Sequence, residues 1–219
     1  MPLPLAYSYR RALLDEALGE SAASLRGVVL DVGGKRVPRG RFVPPAGPAQ
    51  RWVRVNLDPA EQPDVVADAG ALPVHDKAVE SVVCLEVLQY VKRPEAVMAE
   101  IARVLLPAGT ALISAPFLHR TDTPTDRHRF TEVRLREMIE EAGLRVVQIS
   151  AQGFFFTTLA NIVRQAIARI PPLALRYAVA AVVAPLSRLL LGLDRLAAVR
   201  RSAFLSSFTT GFFIVARKL

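Results

Sequence analysis

Cysteine is all but missing from this chain of 219 residues: Cys84 stands alone inside an apolar run. A single thiol forms no intramolecular disulfide framework and no cysteine-based zinc site, so a reducing compartment, the cytoplasm, is the expectation. Histidine is scarce as well. His75, His119 and His128 show no paired metal-ligand spacing, which argues against a catalytic metal. Residues 1–20 hold no uninterrupted apolar segment and do not read as a secretory signal. No G-x-G-x-x-G occurs, which removes the turn a dinucleotide-binding unit needs. Acid is the most unevenly missing component. Residues 1–150 carry 19 basic and 19 acidic side chains, whereas residues 151–219 carry nine basic ones against Asp194 alone, so the net charge of +8 sits at one end.

The first two thirds alternate between helix-like and strand-like segments, the order that a parallel sheet with helical crossovers requires. Arg10 to Leu18 has helix formers with apolar spacing, and Gly27 leads into Val28 to Gly34, a buried strand that closes on Asp31 and the pair Gly33-Gly34. Pro38, Pro44, Pro45 and Pro48 predict an extended loop after it. Trp52 to Leu57 reads as the second strand, with Asp58 directly behind it. The stretch from Asp58 to Val65 is too short for a crossover helix and predicts an abbreviated link. Val79 to Leu85 reads as the central strand, Glu95 to Leu106 as a helix, and Pro107-Ala108-Gly109 as a turn into a strand from Thr110 to Ser114. Thr131 can cap a helix with its body from Arg134 to Ala142 and its end at Gly143. Arg145 to Ile149 and Thr209 to Ala216 complete the strand set.

Asp68-Ala69, Leu72-Pro73, the strand Val79 to Leu85, the helix ending Arg103-Val104-Leu105 and the turn Pro107-Ala108-Gly109 follow one another in an order that resembles class I S-adenosylmethionine (SAM) dependent methyltransferases, type 11-like. The resemblance spans residues 25–150 and returns at 207–218. It implies a Rossmann-like, doubly wound, seven-stranded, mostly parallel sheet with an antiparallel last strand, within one domain. It also implies SAM as cofactor. Gly33 and Gly34 would let the backbone approach the cofactor's amino-acid portion, and Asp31 would receive its ammonium. Asp58 would accept hydrogen bonds from ribose hydroxyls, Asp68 with Ala69 would meet the adenine edge, and Glu86 would stand at the floor of the site. Each has a plainer reading beside it: Asp58 as a turn former before Pro59, Glu86 as a solvated acid at a helix start. The chain departs from the family at Gly34-Lys35, where further glycines are usual, and at Gln89-Tyr90, where many relatives carry Glu-His.

Residues His119 to Thr131 form a substrate-loop candidate rich in proton-exchanging groups. Pro124, Asp126, Arg129, Phe130 and Thr131 resemble a phrase from methyltransferases of polysaccharide biosynthesis clusters, which implies a saccharide or lipid-linked glycan hydroxyl as acceptor. A hydroxyl acceptor needs a base, for which His119, Asp126 and His128 are the candidates; a carboxylate or amine acceptor needs none. The plain alternative for Asp126 and Arg129 is an ion pair that pins the loop.

Residues 151–206 form a basic, apolar helical insert before the last strand. Leu159, Ile162, Val163, Ala166, Ile167 and Ile170 share one helical face, and Pro171-Pro172 ends that helix. Within Leu173 to Leu193 the longest charge-free run, Tyr177 to Ser187, falls short of the roughly 18 residues a bilayer span needs, so no crossing is expected. The composition suits an interfacial helix on an anionic membrane surface, which would make the protein peripheral on the inner face. The alternative is a lid or dimer surface with snorkelling arginines. Its arginines are interleaved with Leu, Val and Ala, not with stacking aromatics, which weighs against nucleic acid. The competing reading of the whole chain is a non-catalytic scaffold that keeps the fold and docks on a membrane or an enzyme partner.

Overall fold

The computed structural model describes residues 7–37, 40–44, 50–121 and 123–219. Seven strands form one sheet: β1 (Gly27–Val32), β2 (Gln50–Asn56), β3 (Val65–Val66), β4 (Val79–Leu85), β5 (Leu105–Pro116), β6 (Leu144–Ala151) and β7 (Gly211–Lys218). Their order is β3-β2-β1-β4-β5-β7-β6, parallel except that β7 runs antiparallel to both β5 and β6. Strand order reverses direction between β1 and β4. In an open α/β sheet that switch point opens a crevice at the carboxyl ends of the strands, where ligands bind.

The central strands are apolar on both faces because both faces are covered. Val82, Cys84 and Ile113 point into the larger core with Met98 and Ile101 of α2 (Pro94–Val104) and Leu135, Met138 and Ile139 of α3 (Glu132–Glu141). Val83 and Leu112, one residue out of phase, point the other way onto Leu14 and Leu18 of α1 (Tyr9–Ser21). Thr131 caps α3 by accepting the Arg134 N–H, and Gly143 follows with φ +81°.

One expectation is corrected. Pro107-Ala108-Gly109 is not a free turn but part of the 12-residue β5, where Ala108 takes φ +63° and the pairing with β4 shifts register. A bulge absorbs the irregular residues without breaking the strand. The first connection holds no helix among its described residues, while Pro38, Pro45 and Pro48 lie outside them. A single 3-10 turn, Pro59–Glu61, links β2 to β3, as the short spacing requires.

After β6 come α4 (Phe155–Ile167), α5 (Leu173–Leu193) and the short α6 (Ala197–Arg201). Asp194 is buried and accepts the N–H groups of Phe154, Phe156 and Thr157 at 2.8, 3.2 and 2.8 Å, so the lone acid of this region is spent on the first turn of α4. The apolar face predicted for α4 is not its packed face. Thr157, Thr158, Ala160, Asn161 and Ile167 are buried, whereas Leu159 and Ile162 are exposed. Small and polar side chains let α4 approach the body of the fold closely, and that leaves its bulky residues outside. On α5, 21 residues long, only Ser187 is buried. With a mean hydropathy of 1.5, α5 is long and apolar enough to cross a membrane by length and composition, which the charge-free-run argument had set aside.

Candidate functional site

A cavity of about 830 Å³ opens at the carboxyl ends of β1, β2 and β4. The turn after β1 is its floor. Gly33 takes φ +78°, and a Cβ there would fall 2.3 Å from Val87 Cγ2; at Gly34 it would fall 2.6 Å from Asp31 Oδ2. No other residue type fits either position without displacement. The turn is fastened by Gly33 N–H to the Val55 carbonyl at 2.7 Å, and by Asn56 Nδ2, which donates to the carbonyls of Gly33 and Gly34 at 3.1 Å each. Lys35 pairs with Glu61 at the rim.

Three carboxylates and a paired acid converge on this space. Asp31 lines it beneath the glycine turn, and burial pushes its carboxyl up to about 7, against the pull of Arg54 and Arg11. Asp58 follows β2, and its Oδ1 accepts the Ala60 N–H at 2.9 Å. Asp68 does the same one strand on, accepting the Gly70 N–H at 2.8 Å through Oδ1. Both are exposed to the cavity while one oxygen fixes a local turn, so the turn-forming role and the lining role coexist. The Asp68 loop is anchored from α2: Arg103 donates to the Leu72 and Val74 carbonyls at 3.0 and 2.7 Å, and Glu100 accepts the Leu72 N–H at 2.6 Å. That clamp ties the loop after Asp68 to the end of α2.

Glu86, directly after β4, takes φ +60°, a conformation L side chains seldom adopt. Its N–H donates to Ser114 Oγ at 3.1 Å, Ser114 Oγ donates back to Oε1 at 2.8 Å, and Oε2 meets Arg10 of α1 in a nearly buried ion pair. Glu86 is therefore no solvated helix-start acid. Cys84 is sealed in the strand, and burial pushes its thiol up, leaving it inert.

All seven residues expected around the cofactor, Asp31, Gly33, Gly34, Asp58, Asp68, Ala69 and Glu86, line this one cavity. The expected base candidates do not stay together. Asp126, its side chain 2% exposed, is held by Arg129 at 2.5 and 2.7 Å, the loop-pinning pair. His128 Nε2 donates to the Val91 carbonyl at 3.1 Å, and its ring leans on Phe130. Thr125 and Arg127 line the cavity, while Asp126 and His128 turn into the loop's own packing. His119 faces a second cavity of about 480 Å³, separated from the first by Arg11, Glu86 and Tyr90, which line both. Sequence reasoning missed Asn56 and Arg11, whereas Tyr90 lies where the segment Glu86 to Tyr90 was expected. An amide two residues before Asp58, at the end of a strand beside the glycine turn, was the available signal for Asn56.

Residues 48–113 match the family model described as a methyltransferase domain. Among solved structures, the cyclase SpnF is 18% identical, with a TM-score of 0.58, over 94% of this chain and 79% of that one. A SAM dependent methyltransferase from Archaeoglobus fulgidus is 16% identical with a TM-score of 0.57, over 95% and 94%. A Burkholderia thailandensis 1,6-didemethyltoxoflavin N1-methyltransferase, solved with that substrate and S-adenosylhomocysteine, is 18% identical with a TM-score of 0.50, over 97% and 78%. At such identities the likeness is one of fold. A search of curated proteins returns no match.

Proposed function

We propose that this chain is an enzyme, a SAM-dependent methyltransferase, whose cofactor lies in the cavity at the β1/β4 switch point. The observation that carries the reading is the convergence of the glycine turn, Asp31, Asp58 and Asp68 on one space. The donor set fits the group: a backbone turn where a Cβ would collide, a partly buried carboxylate for an ammonium, and acceptors placed after successive strands for hydroxyl and amino groups. When bound, SAM supplies a methyl group on a sulfonium, ready for in-line displacement. The protein's part is positioning and exclusion of water. Tyr90 and Glu86 form the wall towards the second cavity, and His119 on its far side would take the proton of a hydroxyl acceptor.

The favoured acceptor is a saccharide or lipid-linked glycan hydroxyl. In support, the α4–α5 hairpin turns Leu159, Ile162, Val182, Leu186 and Leu189 outward, its only acid is buried, and its arginines remain. An apolar face edged by cations is complementary to an anionic bilayer, and α5 would lie in the interface with its arginines among head groups. The protein is then cytoplasmic and peripheral on the membrane. Flotation with vesicles containing anionic lipid, at low and high salt, tests the seat; no capture in either condition would sink it.

A second reading has one observation behind it. Lys35 follows Gly34 where relatives tend to have more glycine, and its pairing with Glu61 narrows the rim, in keeping with a scaffold that retains the fold and binds SAM poorly. Calorimetric titration of SAM and S-adenosylhomocysteine decides between the two. Micromolar binding weakened in both Asp58→Ala and Asp68→Ala supports the enzyme; absence of binding by the wild type supports the scaffold.

A further inference from the structure

Among the described residues the second cavity is lined by six arginines, Arg10, Arg11, Arg120, Arg164, Arg169 and Arg176, and a single acid, Glu86. Arg10 meets Glu86 and Arg11 meets Asp15, but among the described residues Arg120, Arg169 and Arg176 meet no carboxylate. Arg120 Nε donates to the Gln165 side chain at 3.1 Å, and Arg176 Nε donates to the Ile170 carbonyl at 2.8 Å. These bonds orient the guanidinium groups without neutralising them. Like charges crowded into a cleft repel one another, and the focused positive potential favours an anion with several acceptor oxygens. Planar guanidinium forks match phosphoryl oxygens in geometry as well as charge.

The cavity adjoins the cofactor space across Arg11, Glu86 and Tyr90, and three of its arginines come from α4, α5 and the residues joining them. We infer that this cavity is the acceptor subsite and takes the phosphoryl group of a phosphorylated acceptor, holding the methyl-accepting end of that molecule towards the shared wall. The inference rests on the methyltransferase reading for the word acceptor, but the anion site stands on its own lining. A phosphoryl group reaches it in either of two forms, on a soluble sugar phosphate or on the head group of a membrane lipid.

The test titrates inorganic pyrophosphate into the full chain saturated with S-adenosylhomocysteine, beside the triple variant Arg120→Gln, Arg169→Gln, Arg176→Gln. None of the three lines the first cavity, so unchanged S-adenosylhomocysteine binding reports that the variant is folded. The expected result is salt-sensitive pyrophosphate binding that weakens on the order of a hundredfold in the variant. Equal binding by the variant, or none by the wild type, overturns the subsite. Loss of S-adenosylhomocysteine binding by the wild type with pyrophosphate binding intact would instead remove the methyltransferase reading and leave an anion site. Vesicles of phosphatidylcholine doped with phosphatidic acid then identify the source. Capture displaced by pyrophosphate assigns the cavity to a lipid head group, and capture that pyrophosphate leaves unchanged assigns it to a soluble phosphate ester.

Discussion

On β4 and β5, Val82, Val83, Cys84, Leu112 and Ile113 are sealed from solvent, whereas on α5 Val182 is 77% exposed and Leu186 and Leu189 are more than half exposed. Both regions are rich in apolar residues, yet one is filled on both faces and the other, packed against α4 on one side, turns outward a face that nothing among the described residues covers. Charge divides them the same way. The sheet-bearing part is neutral, and the segment from residue 151 onward holds nearly all of its charge as exposed or cavity-lining arginine. Apolar content alone therefore does not say what an apolar surface is for. In the sheet it drives folding; in the hairpin it stays available to a second phase or partner.

Stability measurements on the two regions test that contrast most severely. Ile113→Ala removes side-chain atoms from a closed core and is expected to lower unfolding free energy by about 2–5 kcal/mol in denaturant titration. Leu186→Ala and Val182→Ala should stay within about 0.5 kcal/mol of wild type, while both reduce capture by anionic vesicles. An α5 substitution that destabilised the chain as much as Ile113→Ala would mean that the exposed face of α5 packs onto the body of the protein in solution.

The hairpin is also tied down at the start of α4, and removing that tie comes next in size. Asp194→Ala strands three N–H groups at the start of α4 and should cost roughly 2 kcal/mol or more. Hydrogen exchange should show the loss concentrated in residues 155–193, with S-adenosylhomocysteine affinity preserved. Exchange rising equally through β4 and β5 would show that the hairpin and the sheet unfold as one unit.

Within the sheet-bearing part, Asn56→Ala tests whether the glycine turn is held from β2. The expected effect is smaller, about 1 kcal/mol, seen as several-fold weaker S-adenosylhomocysteine binding with little change in melting temperature. Unchanged affinity would make Asn56 a bystander.

The sheet was legible because its signals are local. Val79 to Leu85 carries the apolar run Val82 to Leu85, ended by Glu86, and the strand's bounds in the structure are the same as those read from the sequence. The residues that line the first cavity were legible because strand ends and turn formers mark the crevice by themselves. What resisted were directions. Asp126 and His128 carry suitable chemistry, but which way a loop's side chains face is set only by its partners, here the Gln89 carbonyl that receives the Arg127 N–H at 2.7 Å. The α4 wheel shows an apolar face but not which side packs, because Thr157, Thr158 and Asn161 find packing that a wheel does not contain. The six-arginine cavity draws on α1, the loop after β5 and the hairpin, and no window of sequence joins them.

Asp31 gives the finest test, since one carboxyl should impose two pH dependences of opposite sign. An ordinary aspartate ionises near 3.8, and burial holds this one protonated up to about 7. Between those values the folded chain binds more protons at Asp31 than the unfolded chain does. Its contribution to stability therefore falls as pH rises through that window and levels off above it. Asp31→Asn should remove that decline and leave the variant more stable than wild type above pH 7, by on the order of 1 kcal/mol, because Asp31 is partly open to the cavity and water screens it. Ligand binding should run the other way. An amino-acid ammonium favours the ionised carboxylate, so S-adenosylhomocysteine affinity in the wild type should rise with pH up to about 7 and then flatten, while the variant binds more weakly without that rise. Rising affinity and falling stability over the same interval, both abolished by one substitution, would assign the ammonium contact to Asp31. A wild-type binding curve without that slope would place the ligand's amino group elsewhere in the cavity.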